Sequence, residues 1–353
     1  MSDHAPLIVN LGLNTQKVVR PFKFELCWFL REDLVNVVGK VWVDYYRGKS
    51  RADKWQNRGR KLRKVLKGWN LNYVWLYKKQ KKVLSAAIDE IDRESERVGL
   101  SNEKYLLRKH LDTQLNKIYK EEEVMWFQRA KEQEILEGDA LTSYFISKAS
   151  GRKRKNKIDS LTQEDGVIEG DEEILDYATN FYKKLFGPND NVGNVTINLP
   201  MSSVLSETDK EKLCQAFSME EIKYAVFQMK KNKAPGPDGL PIEFYQVFWN
   251  LVSNDLFHMF QDWYNGALDV SRFNYGLLTL LPKSNDANSI QQYRPICLLN
   301  VIFKIFTKVV NNRANSIANK VVSPVQSAFI KGRFILDGVV SLHEVMHEVH
   351  RKK

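Results

Sequence analysis

Two cations, Lys283 and Arg294, flank a polar loop between two apolar segments. The run at residues 277–281 is too short for a typical helix and is stopped by Pro282, so it predicts a buried strand. Pro295 disfavours the α region for Arg294, which predicts a second extended segment and hence a hairpin. Lysine as a point charge and arginine as a planar fork suit a polyphosphate. The alternative, which the spacing alone favours, is a solvated hairpin with ordinary surface charges.

The densest run of positive charge lies in residues 47–82, where aromatic side chains alternate with lysines and arginines. Cations neutralise phosphates and aromatic rings stack on bases, so this combination indicates a nucleic-acid-binding surface. The alternative is a helix with a solvated charged face whose aromatic residues pack inward. The candidate contacts are Arg60, Lys61, Arg63 and Lys64, and the interleaved aromatic residues are Trp55, Trp69, Tyr73, Trp75 and Tyr77.

Two further basic segments fall where glycine and proline interrupt regular patterns. Residues 148–157 combine serine, glycine and a cluster of cations, which predicts a loop that contacts phosphate. Residues 230–241, KKNKAPGPDGLP, contain three prolines and two glycines and predict a stiff basic loop. It is not a Walker loop, since no GK[ST] follows the glycines. The candidate contacts here are Arg152, Lys153, Arg154, Lys155, Lys231 and Lys233.

Helices must position most of these cations. Apolar stripes in residues 84–98 and 107–125 predict an antiparallel helical hairpin whose second helix ends near Leu136. Gly99 is expected to end the first helix and Ser101 to cap the second.

Two small antiparallel sheets complete the predicted architecture. Residues 156–170 predict a β-hairpin that turns at Asp165-Gly166, and the Lys283–Arg294 hairpin supplies the other sheet. Residues 187–204, with glycine, proline and asparagine spread through them, predict a linker. The fold class is therefore α+β, predominantly α-helical, without one continuous core.

Composition favours an anionic partner. The 353 residues contain 54 Lys and Arg against 43 Asp and Glu, a formal net charge of +11, which indicates nucleic acid or a membrane surface. The three cysteines have no CxxC spacing and support neither a disulfide framework nor a zinc ribbon. No apolar run approaches the ~18 residues of a membrane span. The N-terminus lacks a secretory signal pattern, so we expect a nuclear or cytoplasmic location and no membrane partner.

Two short motifs elsewhere could carry chemistry. His343 and His347 of HEVMH would share a helix face, as a zinc site requires, but no third ligand is placed and such short matches arise by chance, so we expect no metal site. Asp3 and His4 precede a strand-like segment, and a carboxylate-oriented imidazole can protonate a phosphodiester. The alternative for this pair is a frayed N-terminus.

Four blocks near the C-terminus carry a family likeness. They are KKNKAPGPDGLP, LLPK, YRPICLLNVIFKIFTKVVNNR and QSAFIKGRFILDGV, in that order. Together they resemble the fingers part of reverse transcriptases, and above all the second open reading frame of plant LINE-type (non-LTR) retrotransposons. The likeness spans residues 228–353. A looser resemblance to the linker ahead of the polymerase covers MWFQRAKEQEILEGDALTSYFISKASGRKRKNKI, with Leu141 and Ile146 where the family has Asn and His. Residues 1–7 resemble the end of the preceding endonuclease.

The resemblance implies roles for particular residues. Lys283 and Arg294 match the fingers cations that hold the triphosphate of the incoming nucleotide. Gln326, Gly332 and Arg333 match a block that lies along the template–primer, so the implied partners are an RNA template and a DNA primer. The basic helical linker is expected to bind the element's RNA.

The resemblance also implies a domain order. Residues 1–46 correspond to an endonuclease remnant, 47–186 to the basic helical linker with its β-hairpin, 187–204 to a connecting segment and 205–353 to the fingers. Reverse transcriptases hold two metal ions on palm carboxylates, and no YxDD sequence occurs here. We therefore expect a truncated chain with no catalytic residues that does not polymerise alone, Mg²⁺ being expected only for a complete polymerase. The alternatives are a non-catalytic nucleic-acid-binding relic and a non-functional open reading frame.

Overall fold

The computed structural model describes residues 21–44, 48–131, 142–163, 165–187, 205–327, 329–330 and 332–352. Within these ranges the chain is mostly helical with two antiparallel strand pairs, which confirms the predicted α+β class. The α-helices are α1 Leu34–Val43, α2 Arg51–Val98, α3 Asn102–Ala130, α4 Thr142–Lys155, α5 Asp171–Phe186, α6 Glu207–Cys214, α7 Met219–Gln228, α8 Ile242–Val247, α9 Trp249–Tyr264, α10 Val301–Val321 and α11 Ile335–Arg351. The strands are β1 Ser160–Gln163, β2 Gly166–Glu169, β3 Gly276–Pro282 and β4 Tyr293–Leu299.

Helices α2 and α3 form the predicted helical hairpin. The side chain of Ser50 accepts a hydrogen bond from the backbone N–H of Asp53, and the Asp53 carboxylate accepts one from the backbone N–H of Ser50. Helix α2 therefore begins in a capping box. At 1.5 Å per residue its 48 residues extend about 72 Å. Gly99, with φ of 82°, ends α2, and Ser101 caps α3, as predicted. Helix α3 ends at Ala130 rather than near the predicted position, because Lys131 adopts a left-handed conformation.

A main core joins the N-terminal part of the described chain to the helices that follow residue 217. It packs residues from 22–69 against α7, α8, α9 and the first half of α10. Each fully buried large apolar side chain contributes roughly 1.5–3 kcal/mol through the hydrophobic effect. This core unites segments that the predicted domain order assigns to different units, and the domain order itself stays a prediction. Its buried aromatic side chains include Phe24, Trp28, Trp42, Trp55, Phe244, Tyr245, Trp249, Phe260 and Phe306.

Two smaller apolar clusters lie outside the main core. One, formed by Leu84 and Ile88 of α2 with Leu115 and Ile118 of α3, holds the outer half of the helical hairpin together. In the other, the hairpin β1–β2 and helix α5 pack on the hairpin β3–β4. No helix among the described residues is long and apolar enough to cross a membrane. Asp3, His4 and the predicted linker from residue 188 onward lie outside the described residues.

Candidate nucleic-acid interface

The antiparallel hairpin β3–β4 forms where the apolar run and Pro295 predicted it. Its register places Leu281 opposite Arg294 and Pro282 opposite Tyr293. The prediction of a buried strand is wrong, since Leu277 is 53% and Leu278 40% exposed. The reason is that the hairpin has only two strands and is covered mainly near its loop, where Tyr293 packs in the cluster with Leu161.

The two predicted phosphate-binding cations lie at the loop end of this hairpin. Lys283 directly follows β3, and its backbone N–H donates to the Gln292 carbonyl at 2.9 Å, which places it at the loop end of the hairpin, two residues beyond the partner of Arg294. The Lys283 ammonium donates to the carbonyl of Gln291 at 2.6 Å. Arg294 is exposed, and no hydrogen bond or ion pair of its side chain is present among the described residues. The guanidinium is thus available to an external anion.

Hydrogen bonds fix the loop that separates the two cations. The Gln292 amide oxygen accepts from the backbone N–H groups of Asn288, at 2.8 Å, and Ser289, at 3.2 Å. The Tyr293 hydroxyl donates to the carbonyl of Ala287 at 3.0 Å. Strand β1 reaches the same loop, because the backbone N–H of Thr162 donates to the Asn288 carbonyl at 2.7 Å. The loop is therefore preorganised before any ligand binds.

The Pro-Gly loop between α7 and α8 has the irregular conformation that its prolines predict. A Cβ on Gly236 would overlap the backbone nitrogen of Asn300, and a Cβ on Gly239, whose φ is 69°, would overlap the Phe22 carbonyl. The backbone N–H of Asp238 donates to the Asn300 side-chain oxygen at 3.0 Å. The glycines therefore allow this loop to pack between the N-terminal segment and the start of α10, while Lys231 and Lys233 remain exposed.

The candidate cations of α2 divide between two environments. Arg60 and Arg63 line a cavity of about 480 Å³ between α2, the Pro-Gly loop and the start of α10. We call this cavity the α2 cleft. Lys61 and Lys64 are exposed and do not line it. Burial raises the pKa of Asp238, which also lines the α2 cleft, to about 6.

Most of the interleaved aromatic residues pack inward, as the alternative interpretation of α2 predicts. Trp55 is buried in the main core, and Trp69 packs against it. The Tyr73 hydroxyl donates to Glu121 at 2.9 Å, and that of Tyr77 to the Ile118 carbonyl. The exception is Trp75, which is 63% exposed and lies 5.5 Å from the Lys79 ammonium. The aromatic pattern of this helix is therefore mainly structural.

The basic segment at residues 152–155 is not in the predicted loop. It forms the last turn of α4, where cations interact favourably with the negative end of the helix dipole. Gly151 is accommodated within the helix and does not interrupt it. Arg152 donates to the carbonyl of Ala130 and so links α4 to the end of α3. Lys153, Arg154 and Lys155 are exposed.

Arg333, in the Gly-Arg loop after α10, makes hydrogen bonds that stabilise the local structure. The Arg333 guanidinium donates to the carbonyls of Val322, at 3.0 Å, Ser323, at 2.5 Å, and Gln326, at 2.8 Å. It therefore satisfies carbonyl groups at the end of α10 that no intrahelical donor reaches. Gly332 takes a φ of 85° in the turn before it. Arg333 thus braces the predicted template contact.

Sequence patterns missed one half-buried arginine, Arg313, whose side chain joins α10 to α6 and α7. Arg313 forms two hydrogen bonds with Glu221, each 2.8 Å long, and its guanidinium lies 4.2 Å from the Phe217 ring centroid. It also donates to three carbonyls in the last turn of α6 and the connection to α7, those of Leu213, Gln215 and Ala216. Its position on the polar side of an amphipathic helix gave no signal of this network, because the partners are distant in sequence.

Sequence patterns also missed the ion pair at the rim of the α2 cleft. Arg272 bonds Asp53, and this bond together with the Ser50 hydroxyl lowers the pKa of Asp53 to about 2. His343 and His347 lie on α11, and the described ranges contain no group of three or more His, Cys, Asp or Glu side chains that could hold a metal ion.

The sequence similarity of this chain is to proteins of transposable elements. One relative is the Transposon TX1 uncharacterized 149 kDa protein of Xenopus laevis, 33% identical over 231 residues, which are 64% of this chain and 17% of that protein. Another is the Retrovirus-related Pol polyprotein from type-1 retrotransposable element R1 of Bradysia coprophila, 28% identical over 118 residues, which are 33% of this chain and 12% of that protein. The chain thus spans about a sixth or less of each relative. No protein-family model matches it.

Proposed function

We propose that this chain is a part of a LINE-type retrotransposon polyprotein that binds the RNA template and DNA primer of an RNA-directed DNA polymerase. The observation that carries the proposal is the similarity to transposable-element proteins, one of them a Pol polyprotein. The motif order that resembles reverse-transcriptase fingers of plant elements adds to it. In this proposal Lys283 and Arg294 bind the triphosphate of the incoming nucleotide.

The geometry of the hairpin supports this role. Two cations lie at the loop end of one hairpin, and hydrogen bonds fix its loop. A fixed loop loses little conformational entropy on binding, so more of the interaction energy is retained as affinity. The remaining exposed cations on α2, α4 and the Pro-Gly loop extend a positive surface suited to the phosphates of a template–primer.

The second candidate function is nucleic-acid binding without catalysis. It is favoured by the exposed cations on α2, α4 and the Pro-Gly loop, which can neutralise phosphates without a reacting group. In this form the chain binds a template–primer and does not extend it. Mg²⁺ enters only through the complete polymerase.

Titration of a fluorescent RNA–DNA template–primer with the full chain tests the proposal. We expect the affinity to fall with rising salt, and the slope of log K against log[salt] to correspond to the release of several counterions. The double variant Lys283→Ala/Arg294→Ala is expected to weaken binding of deoxynucleoside triphosphate in the presence of template–primer by at least tenfold. The exposed Lys223→Ala is the control. Absence of template–primer binding at low salt would contradict both functions, and primer extension with Mg²⁺ would contradict the second.

A further inference from the structure

We propose that the α2 cleft binds one nucleotide unit of a single-stranded RNA or DNA, its phosphate on Arg60 and Arg63 and its base on Tyr275. This inference rests on the proposed function and assigns it a site away from the β3–β4 hairpin. The residues of its lining that matter for binding are Arg60, Arg63, Asp238, Arg272, Tyr275 and Asn300.

The two arginines of α2 supply the phosphate contact. Arg60 is exposed, and its side chain has no hydrogen bond or ion pair among the described residues. Arg63 donates through Nε to the Gly59 carbonyl at 3.3 Å, which fixes the side chain along the helix and leaves its terminal amino groups for a ligand. Arg272 lines the same cleft, but its guanidinium is already paired with Asp53 and Ser50, so Arg60 and Arg63 are the cations left for the phosphate. Guanidinium groups placed in this way match phosphate oxygens.

An aromatic ring and a helix end complete the site. Tyr275 is 68% exposed at the wall of the cleft, and an exposed ring is a stacking platform for any base. Helix α10 begins at the cleft, and the side chain of its N-cap residue, Asn300, accepts from Asp238 and does not cap the helix. The first N–H groups of α10 therefore add to the positive potential that the arginines create.

A carboxylate inside the cleft makes binding depend on pH. Asp238 is faced by Arg63 of α2, Lys304 of α10 and Tyr245 of α8, and Arg60 and Arg272 line the same cleft. When ionised, Asp238 neutralises part of this positive charge and repels a phosphate. Its pKa near 6 means that the repulsion is absent at pH 5 and present at pH 7.5. We therefore expect affinity to fall several-fold across this interval.

Fluorescence anisotropy with labelled 20-mers of oligouridylate and oligothymidylate tests the site. The double variant Arg60→Gln/Arg63→Gln is expected to lose at least tenfold in affinity and to reduce the salt slope by about 1. The matched control is Lys61→Gln/Lys64→Gln, which removes the same charge from the same helix outside the cleft and is expected to lose less than threefold. Equal losses would overturn the cleft in favour of a diffuse basic surface.

Two single variants keep the test independent of folding. Tyr275→Ala removes an exposed ring and is expected to weaken binding at least fivefold. Asp238→Asn keeps an oxygen acceptor for the Leu240 N–H and is expected to remove the pH dependence and bind tighter at pH 7.5. If the wild-type chain binds and these variants behave like wild type, the cleft is wrong and the proposed function stands. If the wild-type chain binds neither oligonucleotide nor template–primer, the proposed function fails.

Discussion

The main core and helix α11 differ in whether their apolar side chains are buried. The main core buries the apolar faces of α7, α9 and the first half of α10 against residues 22–69. Helix α11 is equally amphipathic and buries no residue. Each of its large apolar side chains is more than half exposed: Ile335, Leu336, Val339, Val340, Leu342, Val345, Met346 and Val349. An apolar stripe therefore predicts a helix, whereas burial also requires an element that faces it.

Arginines show the same contrast between the two kinds of environment. Arg313, inside the joint between α6, α7 and α10, uses its guanidinium on a carboxylate, three carbonyls and a ring. Arg294, on the exposed hairpin, has no such partner among the described residues. The first side chain is structural, and the second is available for binding. Stability and affinity measurements should therefore separate them.

The largest expected effect is the removal of a ring from the main core. Phe306 is 1% exposed, and its ring centroid lies 4.2 Å from that of Phe260. Phe306→Ala is expected to lower the free energy of unfolding by about 3–5 kcal/mol. Val345→Ala, on the exposed face of α11, is expected to change it by less than about 0.5 kcal/mol. Urea titration followed by tryptophan fluorescence measures both. A comparable loss in Val345→Ala would show that α11 packs against another element in solution.

A smaller loss of unfolding free energy is expected when Arg313 is replaced. Arg313→Met removes two hydrogen bonds from the Glu221 carboxylate, which keeps the one from the Ser218 N–H, and takes this donor from three carbonyls; it is expected to cost about 2–4 kcal/mol. Arg294→Met is the matched control, with an expected change near zero, and it should reduce nucleotide binding. The comparison would be broken if the two variants lost equal stability.

The same variant has a pH signature. The hydrogen bonds from Arg313 hold the pKa of Glu221 below its usual value. The folded pKa is thus below the unfolded one, so this stabilisation is complete above the unfolded value, about 4.3, and is lost as the pH falls through the folded value. The difference in unfolding midpoint between wild type and Arg313→Met should therefore shrink from pH 7 to pH 3, leaving at the acidic end the part that comes from the three carbonyls. Parallel curves would exclude this carboxylate as the source.

Local sequence patterns were enough to predict the elements that carry the site. Gly99 and Ser101 marked the turn of the helical hairpin, since a left-handed residue and a side-chain cap are local requirements. Pro295 marked the second strand of the hairpin at Lys283 and Arg294 for the same reason. These predictions depend on a few neighbouring residues and no tertiary contact.

Other features of the site depend on tertiary contacts and could not be predicted from local sequence patterns. The segment at residues 152–155 was predicted as a loop, because its cations and Gly151 gave no sign of the α3 carbonyl that Arg152 contacts. The α2 cleft was missed because its walls come from segments that are far apart in sequence, from Trp55 to Ile302. Asp238 gains its raised pKa only when the Pro-Gly loop packs there.

The smallest changes in stability are expected for two glycine substitutions, at Gly236 and Gly68, and the two changes are opposite in sign. Gly236 lies where the Pro-Gly loop meets the start of α10, and a Cβ there would overlap the backbone of Leu299 and Asn300. Gly236→Ala is therefore expected to cost about 1–3 kcal/mol through overpacking. Gly68 is exposed within α2, and a Cβ there meets nothing within 4 Å.

The matched variant Gly68→Ala is expected to gain about 0.5–1 kcal/mol, since alanine loses less backbone entropy than glycine in a helix. Thermal unfolding of the two variants beside wild type measures both changes. Gly236 packs against the backbone at the start of α10, whereas nothing lies near the Cβ position of Gly68 on the exposed side of α2, so the two substitutions are expected to shift stability in opposite directions. Stabilisation by both substitutions would mean that the Pro-Gly loop is not packed against α10 in solution.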